Sequence, residues 1–329
     1  MSDQRTLGVI GTLVWDRILE GDPQGYPVEE WGGISYALAA MSASLPDRWR
    51  ILPILKLGQD LSDGGYTLLR AIPRVDESRV VVVPEANNRV ELRYSDDGYR
   101  MERLSGGVPG WSWPELAPLV NLCDALYVNF ISGFEMELET AEALRQVFRG
   151  PIYADLHSLF LSITRNGARV PRPLDDWEAW FQCFDAVQMN ESESKLLGSQ
   201  GDLCVLSGEP LGAEPRLITV TLGHQGAVYF TSAGFEHNPA YWKSTGGLAA
   251  ATSACSGRVA LECAPRVGDP TGCGDVWGAT VFARLLAGDQ LEDAMSKANE
   301  LASQNVGRLG ARDLFDHFES RLSQFEETG

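Results

Sequence analysis

The sequence predicts an α/β fold, a mostly parallel sheet with helices on both faces and a small separate β element. Three observations predict it. From Cys123 onward strand-like and helix-like runs alternate, the rhythm of parallel strands joined by right-handed crossovers. Between Arg79 and Arg103 short runs alternate charged and apolar residues around Ser95-Asp96-Asp97-Gly98, which suits a hairpin in a sheet with one exposed face. Near the C-terminus a glycine-rich turn, Asp269-Pro270-Thr271-Gly272-Cys273-Gly274-Asp275, runs into a stretch that is apolar on most faces and stops at Gly288, which reads as a buried helix with a glycine cap.

Taken in order, residues 6–11 read as a buried strand, and Asp16 follows it. Polar, proline-bearing residues 20–30 lead to Trp31-Gly32-Gly33, and the glycine pair opens an alanine-rich helix through Met41. Paired glycines let backbone approach a ligand closely. Residues 50–57 read as a strand, 60–71 as a helix, and 79–84, 89–94 and 99–103 as short strands. Strands at 124–130, 151–155 and 185–189 then alternate with helices at 137–148 and 174–183. Asn190-Glu191-Ser192-Glu193 closes the third of these strands. Residues 217–230 read as a strand, a glycine turn at Gly223 and Gly226, and a second strand. Residues 258–264 form one more strand, 292–308 a long helix rich in small residues, and a final helix runs to about Glu326.

Composition narrows the function. The 329 residues suffice for a large core and read as one domain. No apolar run reaches the ~20 residues of a membrane span, and residues 1–5 lead straight into a strand without a secretion signal, so a cytoplasmic enzyme is the expectation. A net charge of −18 sets the chain against nucleic acid and anionic membranes as partners. With only four lysines, any phosphate clamp would draw on arginine. The six cysteines show no metal-ligand spacing and read as small hydrophobes in a reducing compartment. Cys273, at a helix start that lowers thiol pKa, reads as filler of a small-residue slot.

The chemistry concentrates in the glycine turn. N–H groups at a helix start lack intrahelical partners and the dipole adds positive potential, so Gly272, Cys273 and Gly274 favour an anion. Asp275 beside them is placed to take a proton from a hydroxyl while those amides hold charge on a phosphoryl group in transfer. Read alone, it equally suits a capping aspartate. Asp16 is suited to accept from two neighbouring sugar hydroxyls, or to occupy a surface turn. Asn190 and Glu193 have the spacing of a helix capping box.

Together and in this order, Asp16 with Gly32-Gly33, Asn190-x-x-Glu193, Leu222-Gly223-x-x-Gly226 and Gly272-Cys273-Gly274-Asp275 resemble the PfkB/ribokinase family of carbohydrate kinases. The chain departs from that pattern at Pro270, Cys273 and Trp277, and at Ala37, where ribokinase-like members carry a sugar-contacting asparagine. The resemblance implies a ribokinase-like three-layer sandwich spanning 1–329 as a single kinase domain. Its lid strands would come from about 14–31 and 79–104 and exclude water from the acceptor. It implies ATP-dependent phosphorylation of a hydroxyl, a hydroxymethyl foremost, on a sugar or sugar-like small molecule. In that scheme Asp275 is the base and Gly272, Cys273 and Gly274 form the anion hole. Asp16, Gly32 and Gly33 hold the acceptor, and Asn190 and Glu193 order Mg²⁺. Thr221 and Gly223 lie beside the nucleotide phosphates, and Asn299 beside the adenine. Asp155 and His157 at a strand end would touch acceptor or Mg²⁺, or be ordinary loop residues; Arg89, Arg93 and Arg103 would meet a substrate phosphate, or be solvated strand face. Use of a monovalent cation such as K⁺ and a homodimer formed through the lids stay open. So do a nucleoside kinase, for which Tyr36 beside Ala37 leaves room for a stacked base, and a non-catalytic ligand sensor. No G-x-G-x-x-G follows the first strand, which sets the chain against a dehydrogenase.

Overall fold

Leu7, Val9 and Ile10 give the first strand no polar face, and Arg5–Ile10 is accordingly buried on both sides inside a sheet. The computed structural model describes residues 4–19, 27–94, 100–201, 215–242, 255–262, 264, 266, 268–308, 310–311 and 313–326. The predicted turn at Ser95, Asp96, Asp97 and Gly98, together with Cys204 and Cys263, lies outside them.

The described strands are β1 (Arg5–Ile10), β2 (Leu13–Leu19), β3 (Val28–Gly33), β4 (Trp49–Ile54), β5 (Lys56–Gly58), β6 (Val81–Val83), β7 (Arg89–Tyr94) and β8 (Arg100–Ser105). They continue as β9 (Ala125–Asn129), β10 (Ile152–Asp155), β11 (Leu161–Ile163), β12 (Arg169–Pro171), β13 (Ala186–Asn190), β14 (Leu217–Thr221), β15 (Ala227–Thr231) and β16 (Cys255–Val259). Eight of them form one sheet in the order β16-β15-β14-β13-β10-β9-β1-β4. All neighbours from β14 to β4 run parallel, and β15 and β16 add an antiparallel edge.

Helices cover both faces. Ile34–Ser44, Cys273–Ala287, Leu291–Asn305 and Leu314–Glu326 pack on one side, where Leu38, Met41, Phe282 and Phe318 are fully buried. Trp113–Val120, Leu138–Val147 and Trp177–Gln182 pack on the other, over a core of Val128, Phe130, Phe160 and Phe184. The result is three layers.

A second sheet has the order β3-β2-β7-β8. Its inner face buries Val14, Ile18, Val90, Leu92 and Leu104, while Arg17, Arg93 and Met101 on the alternating positions face solvent. Two expectations shift. Val81–Val83 does not join this sheet but pairs parallel with Lys56–Gly58. The strand expected at 258–264 is Cys255–Val259, drawn back by its antiparallel register with β15, in which Thr231 faces Cys255 and Ala227 faces Val259. That register leaves Cys255 exposed, against the expectation of buried cysteines.

β11 and β12 form a hairpin over 161–171 that the strand and helix pattern does not predict. Asn166-Gly167 at its tip, with Gly167 at φ +84°, is a turn signal that went unread. Leu104 N–H donates to Gly167 O at 2.8 Å, so the tip of the hairpin is tied to the β8 edge of the second sheet.

Candidate active site

Four parallel strands end in polar residues, Asn129 on β9, Asp155 on β10, Asn190 on β13 and Thr221 on β14. Asn129 and Asp155 are adjacent in register, as are Asn190 and Thr221. Ligands of open α/β sheets sit at these carboxyl ends. Here a cavity of about 490 Å³ opens over them, closed from the far side by the second sheet.

The glycine turn forms one wall. Gly272 caps the Cys273–Ala287 helix in left-handed backbone, φ +76°, and a Cβ there would lie 2.5 Å from the Tyr36 ring, so only glycine fits. Tyr36 is packed beneath the turn, 1 % exposed, and borders the cavity. Ala37, at the position of the family's asparagine, is fully buried in the core. The Cys273 N–H closes the turn onto Pro270 O at 3.1 Å, and Gly272 and Gly274 border the cavity on either side of it. Asn305 Nδ2 donates to Thr271 O at 2.7 Å and Cys273 Sγ to Ala302 O at 3.3 Å, pinning the turn to the end of the Leu291–Asn305 helix.

Asp275 sits one turn into its helix and receives Asn129 Nδ2 on Oδ1 at 2.8 Å. Gln188 braces the same region: its Nε2 donates to Asp155 Oδ2 and to Gly274 O, both at 3.0 Å. Asn129 and Gln188 are support residues that the motif reading did not single out. Their signal was position, polar side chains on otherwise apolar strands at the carboxyl end of the sheet.

Asn190 and Glu193 form the capping box. Asn190 N–H donates to Glu193 Oε2 at 2.7 Å, and Glu193 N–H returns a bond to Asn190 Oδ1 at 2.9 Å. Glu193 Oε1 also meets His157 Nδ1 at 2.5 Å. Burial works against a charged His157, but the Glu193 carboxylate outweighs it and raises the imidazole to about 9. Asp155 is pushed up to about 8, by burial first and then by the negative charge of Asp275, with Glu193 adding to it. At these strand ends Asp155 thus tends to keep its proton, and the charge of Glu193 is matched by His157. Among the described residues no cluster of three His, Cys, Asp or Glu side chains is set to enclose a metal. The oxygen atoms that Asn190 and Glu193 offer are of the kind that a hard ion such as Mg²⁺ takes in small number beside its own water.

The other half of the cavity is built by the second sheet. Asp16, on β2, is only 3 % exposed, which excludes a surface turn. A Cβ on Gly32 would lie 1.7 Å from Asp16 Oδ2, so the glycine makes room for that carboxylate. Gly33 lines the cavity in left-handed backbone at φ +61°, and Val14, Val90, Leu92 and Ile131 supply an apolar wall. The expected cations are elsewhere. Arg89 pairs with Asp60, Arg93 with Glu91, and Arg103 Nε donates to Asn166 O. Arg169, from the unforeseen hairpin, lines the cavity instead, facing Glu102 of β8.

Thr221 and Gly223 border the cavity beyond Asn190. Asn299 borders it too, yet its amide is engaged internally: Oδ1 accepts from Trp277 Nε1 at 2.8 Å, and Nδ2 donates to Val259 O and Ala260 O. Gly32, like Arg89, Arg93 and Arg103, does not line the cavity. Among the described residues no helix is long and apolar enough to cross a membrane.

A family model described as pfkB family carbohydrate kinase matches residues 149–317, just over half of the chain. Among solved structures, a nucleoside kinase from Burkholderia thailandensis in complex with inosine aligns with a TM-score of 0.68 at 16% identity, covering 97% of both chains. A ribokinase from Thermotoga maritima aligns at 0.65 and 17% identity over 97% of this chain and 99% of its own. A sulfate-bound, pyrophosphate-dependent kinase of the ribokinase family aligns at 0.70 and 17% identity over 94% of this chain and 99% of its own. Among curated proteins no match is found. The structural likeness establishes a ribokinase-like α/β fold.

Proposed function

The chain belongs to the pfkB family of carbohydrate kinases, and from that premise we propose that it transfers the terminal phosphoryl group of ATP to a hydroxyl of a sugar or sugar-like small molecule, a hydroxymethyl foremost. One observation carries this reading: Asp16, Asp275 and the start of the Cys273–Ala287 helix open onto a single cavity, so an acceptor hydroxyl, a base and an anion site have one meeting place.

In this mechanism Asp16 and Gly33 hold the acceptor. Asp275, oriented by the Asn129 amide, takes the hydroxyl proton as the oxygen attacks phosphorus. The Gly272 and Gly274 amides and the helix dipole receive the charge of the phosphoryl group in transfer, with Cys273 shaping the turn. Thr221 and Gly223 flank the donor phosphates, and Asn299 supports the wall beside the adenine. Asn190 and Glu193 would hold Mg²⁺ through its water shell; the ion would supply positive charge to offset that of the donor phosphates. The second sheet with the 161–171 hairpin acts as the lid that keeps water from competing as acceptor.

A nucleoside acceptor is the second reading. The apolar wall of Val14, Val90, Leu92 and Ile131 favours it, since a base would lie against such a surface. The ADP bound to a related ribokinase and the inosine bound to the aligned nucleoside kinase agree with the donor and with this acceptor class. The test is ADP release from Mg-ATP across pentoses, hexoses, sugar acids, sugar phosphates and nucleosides, with Asp275→Asn alongside. The variant should lose about 10²–10⁴-fold in turnover, the worth of a positioned base, while still binding ATP. Unchanged turnover removes Asp275 from the chemistry.

A further inference from the structure

We propose that Glu102 is a specificity-determining residue, which makes the acceptor half of the cavity take neutral polyhydroxy molecules and turn away those carrying a carboxylate or phosphate. This rests on reading the cavity as an acceptor site and adds the chemical class that the site admits.

Among the described residues one arginine lines the acceptor half of the cavity, and that arginine is already matched. Arg169 keeps its side chain 4 % exposed; its Nη1 lies 3.3 Å from Glu102 Oε2, and its Nη2 donates to Ile131 O at 2.9 Å and to Ser158 Oγ. The two partners come from separate strands, Glu102 from β8 and Arg169 from β12, joined by the Leu104 to Gly167 backbone bond. The pair is therefore built into the sheet that closes the cavity. A buried guanidinium draws a planar anion strongly, because its N–H groups match a carboxylate or phosphate and its charge is costly to leave alone. Glu102 fills that role from within the chain.

The rest of the surroundings repel an anion. Asp16 and Asp275 line the same cavity, as does Glu193, whose charge His157 matches. His224 and Arg266 also line it, from the segments around Gly223 and Gly268 rather than from the second sheet. An acceptor bearing its own negative charge would have to displace Glu102 or lie among these carboxylates. A neutral polyol would instead donate its hydroxyls to them and lay its carbon frame on Val90 and Leu92.

Binding measured by calorimetry, without phosphoryl transfer, tests this on matched pairs: D-ribose and D-ribonate, D-glucose and D-gluconate, inosine and inosine 5′-monophosphate. Wild-type protein should bind no anionic member more tightly than its neutral partner. Glu102→Gln should raise affinity for at least one anionic member about tenfold, with the neutral members moved less than about threefold, and Glu102→Gln with Arg169→Gln should lose the gain. A wild-type preference for an anionic member overturns the proposal without needing any variant to fold. So does a Glu102→Gln protein that gains no anion affinity. Because transfer is not read, a failed kinase assay and a failed charge discrimination are separate results.

Discussion

The two ends of the cavity are made of different material. The phosphate end is backbone: a left-handed glycine, a helix start and an aspartate one turn later, steadied by Asn129, Gln188 and Asn305 from strand and helix ends. The acceptor end is side chains, Asp16, Glu102 and Arg169 with four apolar neighbours, drawn from several strands and a short hairpin. Backbone geometry asks for glycine at fixed positions and is indifferent to most neighbours, so Pro270 and Cys273 can depart from the family pattern without moving the site. Side-chain geometry can change strand by strand, so the acceptor class belongs to this end.

The largest expected effect breaks the phosphate end through its backbone alone. In Gly272→Ala a Cβ would lie 2.5 Å from the Tyr36 ring, at a φ of +76° that costs a non-glycine residue roughly 1–2 kcal/mol before any clash. Because Tyr36 is buried and cannot yield, the turn should move, and turnover should fall about 100-fold, the scale of losing one anion-hole donor. Gly274→Ala is the control, since its Cβ meets nothing within 4 Å; it should retain thermal stability and most of its turnover. Equal damage from both substitutions would mean that side-chain bulk near the phosphate, not turn geometry, sets the rate.

A smaller effect is expected at the acceptor end, and of another kind. In Gly32→Ala the new Cβ collides with Asp16 Oδ2, pushing the carboxylate into the cavity. The acceptor KM should rise about tenfold with kcat little changed, the signature of lost ground-state binding, and ATP affinity should stay as it was. Steady-state kinetics with the acceptor found in the panel reads the split. A fall in kcat with KM unchanged would place Asp16 in the transfer step and dissolve the division between the two ends.

The same division explains what the sequence disclosed. The phosphate end was legible because Asp269 to Asp275 is contiguous and its chemistry follows from helix termini in general. Alternating strand and helix after Cys123 disclosed the parallel sheet for a similar reason, since each element announces itself within about ten residues. Arg169 was not legible: it stands in a three-residue strand, and Glu102, which it faces, lies more than sixty positions earlier in sequence with no local pattern to tie the two. Arg89, Arg93 and Arg103 are the solvated strand face that their alternation suggests, turned outward where Asp60, Glu91 and the Asn166 carbonyl meet them. Asn299 stood near the right wall for a nucleotide contact, yet only tertiary packing reveals that Trp277 and the β16 carbonyls occupy its amide.

The smallest effect concerns the far end of the catalytic helix. Past the Gly288 cap, Asp289 accepts from Arg284 Nε at 2.8 Å and Nη2 at 2.9 Å, and from Lys297 Nζ at 2.8 Å, tying this helix to the Leu291–Asn305 helix that pins the phosphate turn. Burial alone would raise the Asp289 carboxyl, but the Arg284 and Lys297 bonds outweigh it and hold the group below its ordinary range. A depressed carboxylate stabilises the fold above its unfolded pKa, about 3.9, and loses that contribution as pH falls through the lower folded value. Asp289→Asn should therefore lower stability by about 1 kcal/mol near pH 7, modest because the pair is partly solvated. The gap to wild type should close as the pH drops below the carboxylate range, read by thermal unfolding across pH. Turnover near pH 7 should stay close to wild type, since Asp289 lies at the opposite end of the helix from Asp275. A stability gap that persisted in acid would assign Asp289 a packing role. A turnover loss without a stability loss would mean that the phosphate end depends on how its helix is anchored at the far side, and the backbone site would no longer be self-contained.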